Sequence, residues 1–247
     1  MFLTIFGTSK ITTEHIKSAK KNGIKIYAIS TFRNIKEKKS IQKKFKNIKI
    51  YFDYRKCIND SLKIKNCHFL ITSSIKNNEK LLNKLTKFNR KIIIEKPVFL
   101  KSSHFNKYIK YKNNIFVGYN RVFYNNIKTI KNLLSKYNLK NVHVKIPESS
   151  KSSILTNSCH VVSLVNYLLG DIKKVQIIKN TGYIFSIFKT KKNKLIFFDF
   201  NFKSPENFSI EFNFTNFKCV LSPIETIKIY KGLAIKEKKS MRIYQPI

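Results

Sequence analysis

Few residues of this chain have both the type and the placing for chemistry. The earliest are Gly7-Thr8-Ser9-Lys10-Ile11-Thr12, directly after the apolar run FLTIF. A dinucleotide site wants G-x-G-x-x-G, so that backbone amides at a helix N-terminus reach a pyrophosphate. Here only Gly7 is present, with Ser9 and Thr12 in the other two glycine places. Ser9 can cap the helix and offer a hydroxyl to phosphate. A plain strand-to-helix turn satisfies the same six residues. Ser30-Thr31-Phe32-Arg33, at the end of the second apolar run, has no acidic residue to hold a ribose 2′-hydroxyl. The hydroxyl of Ser30 and the cation of Arg33 suit a 2′-phosphate, which favours NADP over NAD if a dinucleotide binds. Arg33 also reads as one more exposed cation.

Glu95-Lys96-Pro97 closes the run KIII, where open α/β sheets bind their ligands. Lys96 can act there as a point cation or proton donor toward a hydroxyl or carbonyl. In VGYNRVF, Arg121 and its neighbour Asn120 are candidates for fixing a polar ligand, or else a helix-start turn with a surface arginine. His160, in Ser158-Cys159-His160, opens an otherwise apolar helix. It reads as a packed residue or as the proton acceptor of an alcohol oxidation.

The elements that must carry these groups follow from periodicity. Strand candidates Phe2–Gly7, Ile24–Ser30, Ile48–Phe52, Cys67–Ser74, Lys91–Pro97 and Asn114–Asn120 alternate with helix-like stretches at 12–22, 34–46, 77–88 and 102–111. Near-continuous apolar strands between helices predict a doubly wound parallel sheet of Rossmann type. Beyond about residue 122 come a helix (125–137), a strand ended by Pro147, and an apolar helix closed by Gly170. Six β-type segments separated by turn signals follow. The fold class expected is thus α/β, with an N-terminal Rossmann-type sheet followed by an α+β domain with an open, mainly antiparallel sheet. Residues 1–120 form the dinucleotide-binding domain and 121–247 the substrate and oligomerisation domain.

Composition limits the function classes. The chain of 247 residues carries 50 Lys+Arg against 13 Asp+Glu, but only five of the basic residues are arginine. Lysine spread from Lys10 to Lys239 alongside abundant Asn, Ile, Phe and Tyr reads as compositional drift on a solvated surface. Specific nucleic-acid readers concentrate arginine on one face, so no specific nucleic-acid partner is expected. No apolar run approaches the ~20 residues of a membrane span, and the N-terminus reads as a strand, not a signal peptide. Four scattered cysteines without a CxxC suggest no metal site, and a reducing cytoplasm is the default.

In order along the chain, Gly7–His15, Ile92–Pro97, Val117–Phe123 and Ser158–Val175 resemble the Gfo/Idh/MocA family of glucose-fructose oxidoreductases and inositol dehydrogenases. The helix ending YLLGDIKKV looks most like members associated with surface-polysaccharide sugars. The resemblance implies NAD(P)-dependent hydride transfer at a carbinol of a sugar, sugar nucleotide or cyclitol. It implies that Lys96 hydrogen-bonds the reacting hydroxyl, that His160 is the general acid/base, and that Gly7, Thr8, Ser9 and Ile11 form the phosphate loop. Thr72 matches the hydroxyl residue at the mouth of the cofactor cleft, with Glu95 and Pro97 shaping the strand end. Relatives often carry carboxylates where this chain has Thr156 and Ser163, and continue with further helix beyond RIYQPI. A shortened substrate domain predicts an exposed sheet and a homo-oligomer formed through it. A catalytically degenerate relative that binds nucleotide as a scaffold subunit is the alternative.

Overall fold

A computed structural model describes residues 1–238 and 241–247. The chain divides into two compact units, Met1–Gly118 and Tyr119–Ile247.

In the first unit the strands are β1 (Phe2–Phe6), β2 (Lys25–Ser30), β3 (Lys49–Tyr51), β4 (Cys67–Ile71), β5 (Ile92–Ile94) and β6 (Ile115–Val117). They form one sheet ordered β3-β2-β1-β4-β5-β6, every pair parallel. Both faces are covered, so Ile5, Phe6, Ile29, Phe69 and Ile71 are all buried without alternation. The helices between strands are α1 (Lys10–Lys21), α2 (Lys38–Lys44), α3 (Tyr54–Leu62) and α4 (Ile75–Leu85). In α4, Leu81, Leu82 and Leu85 make the buried stripe that its spacing predicts.

Three local expectations are corrected. The helical stretch at 34–46 breaks into a 3₁₀ turn, Ile35–Glu37, followed by the shorter α2. The segment Ser102–Tyr111 winds as 3₁₀ and buries only Tyr108, too little apolar surface to fix an α-helix. Helix α3 lies beyond the expected elements. Its signals are Asp53, which accepts the Arg55 N–H at 2.8 Å, and the buried set Tyr54, Cys57, Ile58 and Ser61.

The second unit opens with a 3₁₀ turn at Asn120–Phe123 and α5 (Asn125–Lys136), then β7 (Leu139–Glu148), a π-turn at Ile154–Ser158 and α6 (Cys159–Leu169). Strands β8 (Ile172–Lys179), β9 (Tyr183–Thr190), β10 (Leu195–Phe202), β11 (Ser209–Phe214), β12 (Lys218–Leu221) and β13 (Ile227–Tyr230) follow. They join β7 in a sheet ordered β13-β12-β11-β7-β10-β9-β8. All its pairs are antiparallel except β7 with β10. One face, with Val142, Val144, Ile196, Phe198, Ile210 and Phe212, packs on Ile127 and Ile130 of α5 and Val161, Leu164 and Val165 of α6. Strands β14 (Leu233–Lys238) and β15 (Met241–Pro246) form a separate antiparallel pair.

Pro147 does not end β7. It pairs with Asn201 of β10, while the ladder to β11 stops at Lys145, so its missing N–H breaks no bond on that side. Among the described residues no helix is long and apolar enough to cross a membrane.

Candidate functional site

Strand order in the first sheet reverses between β1 and β4, and the loops leaving these strands carry Gly7 and Thr72. Gly7 has φ +132°, and a Cβ there would lie 2.6 Å from Thr72 Oγ1 and 2.7 Å from Ser73 N. Only glycine meets both the backbone angle and the approach. The two missing glycines are replaced by hydroxyls that bond to one another. Thr12, fully buried on α1, sits 2.7 Å from Thr72 Oγ1, so helix and strand approach through a hydrogen bond where a glycine would give bare contact. Thr72 Oγ1 in turn donates to the Phe6 carbonyl at 3.4 Å.

Ser9 stands at the N-cap of α1, but its side chain makes no capping hydrogen bond. Its hydroxyl donates instead to the Thr72 carbonyl at 3.2 Å and meets Thr12 Oγ1 at 3.3 Å. This corrects the capping expectation, and it leaves the first-turn N–H groups of α1 without a side-chain cap. Thr8 is buried with its hydroxyl 3.4 Å from that of Thr31. Ile11 is exposed. Lys44, which sequence reasoning missed among forty-five lysines, donates from Nζ to the carbonyls of Thr8 at 3.3 Å and Ser9 at 3.5 Å.

A cleft of about 260 Å³ opens over this loop, lined among others by Gly7, Thr8, Ser9, Arg33, Thr72 and Ser73. The buried hydroxyl of Ser73 has no hydrogen-bond partner among the described residues, nor has that of Ser30 at the end of β2. Arg33 reaches the cleft and also pairs with Glu37 one turn on, at 2.7 Å.

At the end of β5, Glu95 lies 2.6 Å from His15 Nε2 on α1. A Cβ at Gly118 would stand 3.3 Å from Glu95 Oε1, so three segments meet on this carboxylate. His15 is a second residue missed by sequence reasoning; its only signal is that it ends the motif opened by Gly7. Lys96 follows, partly buried, joined to Pro97 by a cis peptide bond.

The other candidates lie in the second unit. His160 is the second residue of α6 and meets the ring of Tyr119 edge-on at 6.2 Å. Burial, with the Cys159 thiol nearby, pushes the Tyr119 hydroxyl above its ordinary pKa. The hydroxyls of Ser163 and Thr156 turn to the backbone, Ser163 donating to the His160 carbonyl at 3.1 Å and Thr156 to the Ser153 carbonyl at 3.4 Å. Arg121 pairs with Glu225 at 3.4 Å, and Asn120 is exposed. The structure thus gathers Gly7, Thr8, Ser9, Thr72 and Arg33 around one cleft. Lys96 stands at the end of a strand in that same unit, whereas His160, Asn120 and Arg121 belong to the second. Among the described residues no group of His, Cys, Asp or Glu is placed to hold a metal ion.

No family model and no curated protein matches the sequence. Solved structures do match the fold. The WlbA dehydrogenase from Bordetella pertussis, solved with NADH and UDP-GlcNAcA, superposes at TM-score 0.79 and 11% identity over 94% of this chain and 82% of its own. The MviM dehydrogenase from Clostridium difficile gives 0.76 and 14%, over 100% of this chain and 82% of its own. KijD10 from Actinomadura kijaniata, a 3-ketoreductase solved with TDP-benzene and NADP, gives 0.74 and 9%, over 100% and 84%. These are dehydrogenases of the Gfo/Idh/MocA type, and the chain has their fold.

Proposed function

We propose that this chain is a nicotinamide-dependent oxidoreductase acting on the carbinol of a sugar, sugar nucleotide or cyclitol. The observation that carries the reading is the Gly7 loop at the reversal of strand order. There a Cβ-free approach to Thr72, an uncapped α1 N-terminus and the unpartnered Ser73 hydroxyl converge on one cleft. Those groups fit a pyrophosphate: amides and hydroxyls donate, and the helix dipole favours the negative charge. Thr8, Ser9 and Ile11 would supply amides and Thr72 and Ser73 the opposite wall, while Glu95 and Pro97 would shape the end of β5.

Arg33 and Ser30, with no acidic side chain in Ser30–Arg33, support NADP over NAD. The bound cofactor would supply the hydride acceptor or donor. In this reading the Lys96 ammonium hydrogen-bonds the reacting hydroxyl and the His160 imidazole takes its proton, while Asn120 and Arg121 orient the substrate. Solved structures of the same fold hold UDP-GlcNAcA beside NADH, or a TDP compound beside NADP, which supports a sugar-nucleotide substrate. Buried thiols at Cys57, Cys67 and Cys219 suit a reducing cytoplasm.

The test is turnover of nucleotide-linked sugars with NADP(H) and NAD(H), in wild type and Lys96→Ala. The expected result is measurable turnover that falls at least ~100-fold in the variant, with cofactor affinity kept. Cofactor binding without turnover on any such substrate would favour the non-catalytic scaffold instead.

A further inference from the structure

We propose that Glu148, at the end of β7, is the positioning residue for His160; this rests on the oxidoreductase reading. Among the described residues Glu148 is the one buried carboxylate, 5% exposed, in a chain of net charge +37. A buried carboxylate is costly unless hydrogen bonds replace its water. Two consecutive residues supply them. Ser158 donates its hydroxyl to Oε1, and Asn157 donates from Nδ2 to Oε2 at 3.3 Å. The Glu148 carbonyl also accepts the Lys203 N–H at 2.8 Å, so the strand end bearing the carboxylate is itself fixed.

Both donors belong to the π-turn Ile154–Ser158, which runs straight into α6. A π-turn is an uncommon geometry that needs outside support to persist. Here the support is the pair of hydrogen bonds that Asn157 and Ser158 give to the Glu148 carboxylate. His160 follows Ser158 by two residues, about 200° around the helix, so the imidazole projects away from Glu148 and toward the Tyr119 ring. Glu148 therefore acts through the start of the helix and not by contact. Its hydrogen bonds to Asn157 and Ser158 fix where the helix begins.

The experiment compares wild type, Glu148→Ala, Glu148→Gln and Ser158→Ala in the full chain. Two readouts are taken: steady-state kinetics, and diethylpyrocarbonate modification of His160 followed by mass spectrometry, with the exposed His104 of the first unit as internal control. Expected for Glu148→Ala is a fall in kcat of about 10- to 100-fold, with KM and cofactor Kd within twofold. His160 modification changes several-fold while that of His104 stays constant. Glu148→Gln, which can still accept from Ser158, recovers part of both effects. Should Glu148→Ala fail to fold, Glu148→Gln and Ser158→Ala carry the comparison. Folded variants with unchanged kcat and unchanged His160 reactivity overturn the proposal. If wild type turns over no sugar substrate, the oxidoreductase reading fails, and the His160 reactivity alone decides the role of Glu148.

Discussion

Gly7 is the residue on which the cleft beside Thr72 depends most. Gly7→Ala places a methyl against Thr72 and Ser73 at a backbone angle that L-residues rarely adopt. It is expected to cost about 1–3 kcal/mol in urea unfolding and to abolish dinucleotide binding. Arg33 tests the cofactor preference. Arg33→Ala is expected to weaken NADPH about tenfold and leave NADH within twofold, since only the former has a 2′-phosphate to lose a charge-assisted contact. Equal effects on both cofactors would place Arg33 among the ordinary surface cations. The positions of Gly7, Arg33 and Lys96 just beyond strands were legible in the sequence because each follows an apolar run; their roles belong to the proposed function. Lys44, His15 and Glu148 were not legible. Each acts across at least 10 residues of separation, and a lysine among forty-five carries no signal of its own.

At the scale of elements, strands were legible where both faces are buried, as in β1 and β4, because the apolar run is then unbroken; β5 is apolar throughout although Ile93 is exposed. Two features depend on contacts the sequence does not display. The parallel pairing of β7 with β10 joins strands separated by α6 and a hairpin, and β7 continues through Pro147 only because β11 stops short. The end of α6 was readable. Gly170 sits at φ +76° and ψ −162°, a region almost reserved for glycine. Gly170→Ala is expected to destabilise the fold by about 1–3 kcal/mol in urea denaturation, with no change in cofactor affinity. Buried thiols add a pH dependence. Burial pushes Cys57 in α3 up to about 12 and Cys219 in β12 up to about 11, from an ordinary value of 9.0. Above pH 9 the unfolded chain releases protons that the folded chain keeps. The urea midpoint should therefore fall steadily between pH 9 and 11. A rising midpoint in that window would contradict the burial of these thiols.

For the molecule as a whole, two surface properties lead to predictions about partners, the net charge and the sheet face turned from the helices. On the face of the second sheet turned from its helices, Phe185 stacks on Phe197 at 6.2 Å and His143 on Phe197 at 4.7 Å. Tyr183 and Leu195 lie exposed beside them. A homo-oligomer formed through this face is the expected state, checked by sedimentation of wild type against Phe197→Asp, which should shift toward monomer. With net charge +37, duplex DNA should bind at low salt, without sequence preference, and dissociate near physiological salt. The most direct test of the central claim is fluorescence titration of the intact chain with NADPH and NADH. Saturable binding of both is expected, tighter for NADPH and lost in Gly7→Ala; no binding of either at millimolar concentration would rule out a dinucleotide cleft at Gly7.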